Sequence, residues 1–275
     1  MDRQERLSLT WYIARPVLIY IVLLSVVQGI LYRLLESFLL FKQTDMVLYY
    51  AYWGAYFAAV IAGIAHTAAV IPLLREARRE VSLWERRDCW MAHRRDQNTL
   101  MLMLLPGVLC TALSFNLFTQ RFAAEQAADL SGWRLTVCVL IYGLVTPFTE
   151  ELVFRGMLFG RLRRHLSFLE AGILSAAVFG AYHGNLRQGL YGLLMGFLFA
   201  AAYELTGRFA VPYLLHAVTN AVVLTAASAG LLGNGNGSLW GVFLLSGALC
   251  VTGYYAVRLR RTGWDPRKRP GSGRR

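Results

Sequence analysis

The chain has 275 residues, of which 56% are hydrophobic and 16% charged, and its mean hydropathy is +0.44. A soluble domain of this length carries more polar material, because polar groups must cover its surface. The composition therefore excludes an ordinary soluble protein and indicates an all-α, polytopic membrane protein. The net charge of +12 suggests nucleic acid as a partner until the charges are located along the chain.

Apolar stretches long enough to cross a bilayer, which takes about 20 helical residues each, recur along the chain. We predict a bundle of about eight transmembrane helices from them. The boundary between the fifth and sixth is the least marked, because only "GNLRQ" separates the two. The predicted spans are 14–34, 47–74, 99–118, 134–160, 168–183, 189–205, 209–230 and 239–258.

Three regions are predicted from the positions of the spans and of the polar residues. We predict that residues 1–98 form an N-terminal accessory region with two transmembrane helices and a basic cytoplasmic loop. Residues 99–260 are predicted to form a catalytic helical bundle with its motifs within 134–230. Residues 261–275 are basic and rich in Gly and Pro, which is typical of a disordered tail.

The loop that follows the second predicted span reads "REARREVSLWERRDCWMAHRR". Its basic residues alternate with a few large apolar ones, which is typical of an amphipathic helix lying on a membrane surface. We therefore expect Val81, Trp84 and Met91 to face lipid on the inner side.

The basic residues predict the orientation of the bundle. Of the 28 Lys and Arg, 22 belong to the two termini and to the predicted loops that share their side. The positive-inside rule then places both termini in the cytoplasm, where the basic side attracts anionic lipids. The excess of Arg over Lys suggests a GC-rich genome and hence a bacterial plasma membrane. We expect a multi-pass protein of the cell membrane and no nucleic-acid partner.

Ionisable groups deep in a membrane helix are costly and by default mark a functional site. Three neighbouring predicted spans hold most of them, and so many polar groups on so few spans are hard to explain by packing. We therefore expect these side chains to converge on one point. They are Glu150, Glu151, Arg155, His183, His216 and Asn220.

Helical spacing separates the two glutamates. Glu151 and Arg155 are four residues apart, with the acid first, which is the better orientation for an ion pair. Glu150 points in another direction and needs a partner from another helix. Pro147, just upstream, favours a kink or a fresh helix start at Thr149.

Other ionisable and small residues in the spans receive structural interpretations. Glu204 and Arg208 are interpreted as a surface pair, and Arg33 with Glu36, like His66, as snorkelling or interhelical contacts. The GxxxG spacings, which allow helices to approach closely, are formed by Gly180 with Gly184 and by Gly192 with Gly196.

The histidines supply the chemistry of a hydrolase. His183 lies four residues after Phe179, and Asn220 lies four residues after His216 on one helix face. A Glu–His pair in a partly dry pocket suits the activation of water. His and Asn donors aimed at one point suit a developing oxyanion, for which one donor can contribute about 3 kcal/mol.

The same residues leave three alternatives open. Two His and one or two Glu would also suit zinc in a metalloprotease, although the amide of Asn220 is a poor ligand and Arg155 lies close to the acids. A non-enzymatic scaffold or immunity protein and a proton-coupled transporter are the other two. We expect no metal and no other cofactor.

Three short stretches resemble a known family in their order and spacing. "EELVFRG", "FGAYH" and "HAVTN" are similar to the EExxxR, FxxxH and HxxxN motifs of the CAAX-protease and bacteriocin-processing (CPBP) family of intramembrane glutamic endopeptidases. The resemblance covers roughly residues 134–230. It implies an eight-helix bundle that cuts a peptide bond near the C-terminus of a membrane-associated or lipidated protein.

The resemblance also implies roles for single residues. Glu150 would be the catalytic glutamate that activates water together with His183, and His216 and Asn220 would stabilise the oxyanion. Supporting residues would be Glu151, Arg155 and Phe179.

The predicted heights of these residues in the membrane do not agree. With straight spans, Glu150 falls near the middle of the membrane and His183 towards the far side. A kink at Pro147, or a fifth span that starts late near Gly172, would bring them level.

Overall fold

The computed structural model of the chain describes residues 3–42, 45–85, 94–119, 132–231 and 247, and these contain helices and no strand. Within these described ranges, five helical stretches are long and apolar enough to cross a membrane, and two shorter apolar helices accompany them. The predicted all-α, polytopic fold is confirmed. The α-helices are α1 (Arg3–Phe41), α2 (Met46–Val70), α3 (Leu74–Glu85), α4 (Arg94–Thr119), α5 (Gly132–Leu140), α6 (Thr146–Glu151), α7 (Gly160–His165), α8 (Phe168–Tyr182), α9 (Leu186–Thr206) and α10 (Ala210–Ser228).

Seven of the predicted spans fall on described residues, and each coincides with a helical segment. The eighth, 239–258, and the predicted tail, 261–275, lie outside the described residues. A stripe of apolar side chains spaced four residues apart on α1 is exposed, as expected of a surface that faces lipid. Its members are Leu18, Val22, Val26, Ile30 and Leu34.

Helices α5, α6 and α7 run on as one helix, Gly132–His165, which we call the central helix. Two wider, π-helical segments interrupt it, at Ile141–Val145 and at Leu152–Phe159. Segments of this kind are frequent at functional sites. The predicted fresh start at Thr149 is wrong, because α6 begins at Thr146 and the helix continues through the proline of its first turn.

Short turns join the last three helices. Ser167 and Glu170 form a capping box that starts α8, and the Asn185 side chain accepts a hydrogen bond from the Gln188 N–H at the start of α9. Gly207, with φ +66°, ends α9 in the left-handed conformation that glycine adopts without strain. The turns are so short that neighbouring helices must run antiparallel.

Helix α3 does not lie on lipid as the sequence suggested. Trp84 is buried, and its ring stacks on Tyr203 at 4.9 Å and meets Phe159 at 5.4 Å between centroids. Val81 lies against Gly156, so close that a Cβ there would approach it to 3.0 Å. The apolar face of an amphipathic helix can face protein as readily as lipid, and here it packs on the central helix. Met91 lies outside the described residues.

Ion pairs join several segments at one end of the bundle. Arg161, completely buried, bonds to Glu76 and to Glu80 of α3, and Arg15 of α1 donates to Glu76 at 2.6 Å. The start of α1, helix α3 and the end of the central helix therefore lie together, and we call this the basic end. The backbone N–H of Phe209, at the α9–α10 turn, donates to Glu85 at 3.0 Å and belongs to the same end.

Two predictions about smaller contacts have opposite outcomes. Glu204 pairs with Arg163 at 2.8 Å, so the predicted pairing with Arg208 is wrong. The predicted close approach at glycine is confirmed for Gly180, Gly192 and Gly196, whereas Gly184 lies beyond the end of α8 and a Cβ there would meet nothing within 4 Å. A Cβ on Gly180 would lie 2.5 Å from the carbonyl oxygen of Gly189. A side chain at this position would force the two helices apart.

Candidate active site

A cavity of about 650 Å³ enters the bundle between the helices. The four residues predicted to act on substrate come from the central helix, α8 and α10, and all of them line it: Glu150, His183, His216 and Asn220. Phe179 lines it as well, whereas Glu151 and Arg155 lie behind its wall. The structure therefore brings the predicted residues to one place.

Glu150 is the carboxylate that faces the cavity. It is buried, and the Tyr182 hydroxyl donates to its Oε1 atom at 3.1 Å. Its Oε2 atom lies 3.7 Å from Nε2 of His216. One oxygen is therefore fixed by a hydrogen bond, and the other stands where it can face a bound water.

Glu151 and Arg155 form the ion pair that the spacing predicted. The Arg155 Nη1 and Glu151 Oε1 atoms are 3.1 Å apart, and both side chains are completely buried. Arg155 also donates to the carbonyl of Gly196 at 3.2 Å, and its guanidinium stands 4.4 Å from the centre of the Phe179 ring. The pair thus joins the central helix to α8 and α9.

The bond from His216 to Glu151 decides how its imidazole is used. Nδ1 of His216 lies 2.8 Å from Oε1 of Glu151, and because a carboxylate only accepts, Nδ1 carries the hydrogen and donates a hydrogen bond to Glu151. Nε2 then faces Glu150. It is an acceptor in the neutral ring and a donor in the imidazolium. The imidazolium would bring the formal charge of Glu150, Glu151, Arg155 and His216 together to zero, which suits a buried cluster.

His183 is held by its own helix. Its Nδ1 atom lies 2.8 Å from the carbonyl oxygen of Phe179, and the two rings meet edge to face at 4.9 Å. Because a carbonyl only accepts, Nδ1 is the donor and Nε2 is left as the acceptor of the neutral ring. His183 and Glu150 share no direct hydrogen bond among the contacts that the structure describes.

The height of His183 follows from the hairpin between the central helix and α8. Glu150 precedes the turn residue Leu166 by 16 residues, and His183 follows it by 17, so counting along the two helices places them at about the same level, in keeping with the cavity that both line. Helix α8 begins at Phe168, so the predicted late start near Gly172 is wrong. With 15 residues it is about 22 Å long, short of the roughly 30 Å of a bilayer core.

Asn220 lies one turn after His216 on α10. Its side-chain Nδ2 donates to the carbonyl of Tyr142 at 3.0 Å, in the first π-helical segment. An amide nitrogen carries two hydrogens, so the second can serve a ligand in the cavity.

A set of hydroxyl and imidazole groups near Glu150 was missed as part of the site, and two of its members, His66 and Tyr182, also line the cavity. His66 Nδ1 lies 2.6 Å from the Tyr20 hydroxyl, and Thr149 lies 3.2 Å from both. The Tyr182 hydroxyl, which bonds Glu150, is 3.4 Å from Nε2 of His66. The prediction of an interhelical contact for His66 was right. Its link to Glu150 passes through α1 and α8, which no spacing in the sequence relates.

The described residues contain no group of three or more His, Cys, Asp or Glu side chains placed to hold a metal ion. The ligand set of the zinc alternative is therefore not assembled among them. The described groups that meet here are the carboxylates of Glu150 and Glu151, the imidazoles of His183 and His216, and the hydrogen-bond donors of Tyr182 and Asn220.

The motifs and their geometry agree with a comparison against protein families. Residues 132–222 match the Rce1-like family of type II CAAX prenyl endopeptidases. The resemblance inferred from the three motifs is confirmed. This Rce1-like segment holds the central helix, α8, α9 and most of α10, and so all four of the cavity residues predicted to act on substrate.

Two curated relatives share part of the chain. "Putative membrane peptidase YdiL" of Bacillus subtilis (strain 168) is 36% identical over 86 residues, and "Membrane-embedded CAAX protease MroQ" of Staphylococcus aureus (strain USA300) is 29% identical over 97 residues. The matches cover 31% and 33% of this chain and 35% and 39% of the two relatives, so the chain spans little more than a third of their length. No solved structure matches the chain. The apolar helices, together with relatives whose names describe membrane proteins, make this a multi-pass membrane protein.

Proposed function

We propose that the protein is an intramembrane endopeptidase that hydrolyses a peptide bond with water activated by Glu150 and His183. One observation carries the proposal. Glu150, His183, His216 and Asn220, from three helices, line one cavity whose inner part is buried. The Rce1-like segment and the two relatives, whose names describe membrane peptidases, support the same reaction class.

In the proposed reaction, water binds between Glu150 and His183. A carboxylate whose second oxygen is fixed by Tyr182 can take a proton from that water as it attacks the carbonyl carbon. His183, with Nε2 as an acceptor, holds the water's second hydrogen. The proton taken by Glu150 then passes to the leaving amine.

The negative charge of the tetrahedral intermediate is assigned to His216 and Asn220. An imidazolium at His216 would donate from Nε2, and Asn220 would donate its second amide hydrogen. Glu151, held by Arg155, fixes the ring of His216 through Nδ1. No side chain of the chain has to form a covalent intermediate.

The substrate is proposed to be a membrane-associated protein or peptide, cut near its C-terminus and held beside membrane lipids. The name of MroQ describes a membrane-embedded CAAX protease, which places that relative's activity in the membrane. We further propose that the protein resides in the plasma membrane with both termini in the cytoplasm, as the basic residues predict.

The deciding experiment compares cells that carry the wild type, Glu150→Gln or Glu36→Gln, the last changing a half-buried acid on α1 that lies outside the cavity lining. Membrane proteomes are searched for new protein C-termini. We expect new C-termini in cells that carry the wild type or Glu36→Gln, and we expect them to be absent from cells that carry Glu150→Gln. The proposal fails if the three strains give the same C-termini while the three proteins are present at equal amounts.

Chelation separates this mechanism from the zinc alternative. Purified protein is assayed with a substrate found above, before and after treatment with a strong chelator. We expect unchanged activity and no stoichiometric zinc by elemental analysis. Activity that is lost on chelation and restored by zinc would replace the glutamate mechanism with the metalloprotease one.

A further inference from the structure

The two ends of the bundle differ in charge. The basic end gathers the start of α1, helix α3, the end of the central helix and the α9–α10 turn. The termini and loops predicted on this side hold 22 of the 28 Lys and Arg, and six lie elsewhere. Positive charge of this kind stays in the cytoplasm when a membrane protein inserts.

The cavity lies towards the opposite end. Its outer lining comes from residues close to the helix ends remote from the basic end: Tyr32 of α1, Asn116 of α4, Gln188 of α9 and Ala227 of α10. Gln188 is exposed, whereas Phe199 and His216, which form the inner end of the lining, are buried. The 11 residues from His216 to Ala227 span about 16 Å along α10, which gives the depth.

The side of the cavity facing the basic end is closed by packed side chains. On the central helix, which is described throughout, Tyr142, Thr146 and Glu150 line the cavity and nothing after Glu150 does. From there to the basic end the helix is solidly packed, and Phe154 and Phe159 have no exposed surface. Along the central helix the described residues therefore offer no passage from the basic end.

We propose that the cavity is entered from the non-cytoplasmic side of the membrane, and that its substrates are polypeptide segments presented on that side. The side of entry is inferred from the position of the cavity and from the distribution of basic residues. That the entering segment is cleaved rests on the proposed function. An exported or membrane-anchored polypeptide meets the condition, whereas a soluble cytoplasmic protein does not.

The lining fits an extended peptide. Amide side chains line the cavity at several levels, and each amide can donate and accept hydrogen bonds, as a peptide backbone requires. They are Gln28, Asn116, Gln188 and Asn220. At about 3.3 Å per residue, a depth of about 16 Å admits about five residues in extended conformation. We expect a segment of that length, free of helix, to be the part of the substrate that enters.

The test of sidedness needs no substrate. In a full-length chain whose four native cysteines are replaced, single cysteines are introduced as Gln188→Cys at the cavity mouth or as Arg78→Cys, an exposed position of α3 at the basic end. Bacterial spheroplasts are treated with a membrane-impermeant maleimide. We expect Gln188→Cys to label at least tenfold faster than Arg78→Cys, which should label only after permeabilisation. The reverse order overturns the proposal.

A third variant probes the depth of the cavity. Asn220→Cys lies near its inner end, and we expect it to be labelled from the same side as Gln188→Cys, more slowly. Labelling of Asn220→Cys from the cytoplasmic side alone would show that the cavity is reached from the basic end, and would overturn the proposal.

Cleavage is then followed with an impermeant fluorogenic peptide library of extended sequences, offered to spheroplasts and to inverted membrane vesicles. We expect cleavage by spheroplasts that carry the wild type, and none with Glu150→Gln. Cleavage confined to inverted vesicles contradicts the inference. If neither preparation cleaves the peptides, the result counts against the proposed peptidase function. The side from which the cavity is entered is still decided by the cysteine labelling.

Discussion

Nδ1 of His216 lies 2.8 Å from Oε1 of Glu151, and this bond ties α10 to the central helix. The same carboxylate oxygen faces Arg155 at 3.1 Å. Two adjacent glutamates therefore have separate tasks, since Glu151 orients the imidazole from behind and Glu150 meets its other nitrogen from the cavity side. The two adjacent glutamates of the sequence therefore become one carboxylate packed behind the cavity wall and one buried carboxylate that faces the cavity.

Replacing Glu151 should unfold the site as well as disable it. Glu151→Gln leaves the fully buried Arg155 without its counter-charge, and breaking a buried pair in this way costs about 3–5 kcal/mol. We expect a clear fall in Tm of the purified protein in detergent. Glu36→Gln, which disrupts an exposed pair with Arg33, should change stability by less than about 0.5 kcal/mol. Equal Tm values for the two variants would contradict the structural role of Glu151.

The hydroxyl of Tyr182 should matter for turnover and not for substrate binding. Tyr182→Phe removes the donor to Glu150, a bond to a charged group worth about 1.5–3 kcal/mol, so kcat should fall roughly 10- to 100-fold with little change in KM. Tyr213→Phe, in a ring cluster with Phe148 and Phe209, is the matched control and should keep its activity. An unchanged kcat in Tyr182→Phe would remove this tyrosine from the site.

Tyr20 and His66 should be energetically coupled. Their 2.6 Å contact links α1 to α2, and contacting polar pairs show interaction energies of about 0.5–3 kcal/mol. The measurement is a double-mutant cycle of Tyr20→Phe and His66→Ala, followed by unfolding in detergent. Tyr20→Phe combined with His165→Ala, at the exposed end of α7, should be additive. Additivity in both cycles would mean that the contact contributes nothing.

Gly180 should not tolerate a methyl group. Gly180→Ala places a Cβ 2.5 Å from the Gly189 carbonyl oxygen, which would push α9 away from α8 and displace His183. We expect a lower Tm and weaker activity. Gly29→Ala on α1, where a Cβ meets nothing within 4 Å, should be neutral or slightly stabilising, because alanine favours helix. A Gly180→Ala protein as stable as the wild type would show that the helices can separate at no cost.

The sequence predicted those features that depend on local spacing. The Glu151–Arg155 pair and the helices that coincide with the predicted spans follow from periodicities of four residues and from runs of apolar residues. The close approach at Gly180 follows from small residues alone. Two of the wrong predictions concern the partner of a helix face or of a charged side chain. Trp84 packs on Tyr203 and Glu204 pairs with Arg163, and neither partner is near in sequence.

The level placement of Glu150 and His183 was predictable and was missed. The prediction requires only a tight turn at Leu166 and a count of the residues from that turn to Glu150 on one helix and to His183 on the other. Measuring straight spans from the membrane surface instead misplaces His183. The contribution of Tyr20 and His66 was not predictable, because their contacts with Thr149 and Tyr182 join residues more than 80 apart. The division of the chain at residue 98 stays a prediction.

Helices α1 and α2 lie outside the Rce1-like segment, yet Tyr20 of α1 and His66 of α2 both contact Thr149, the residue before Glu150. A graft of residues 132–222 alone into another scaffold would carry every motif and lose Tyr20 and His66. Chimeras between relatives should therefore exchange the first two helices and the motif segment together. Differences in activity among such proteins can originate in a portion of the chain where their sequences do not align.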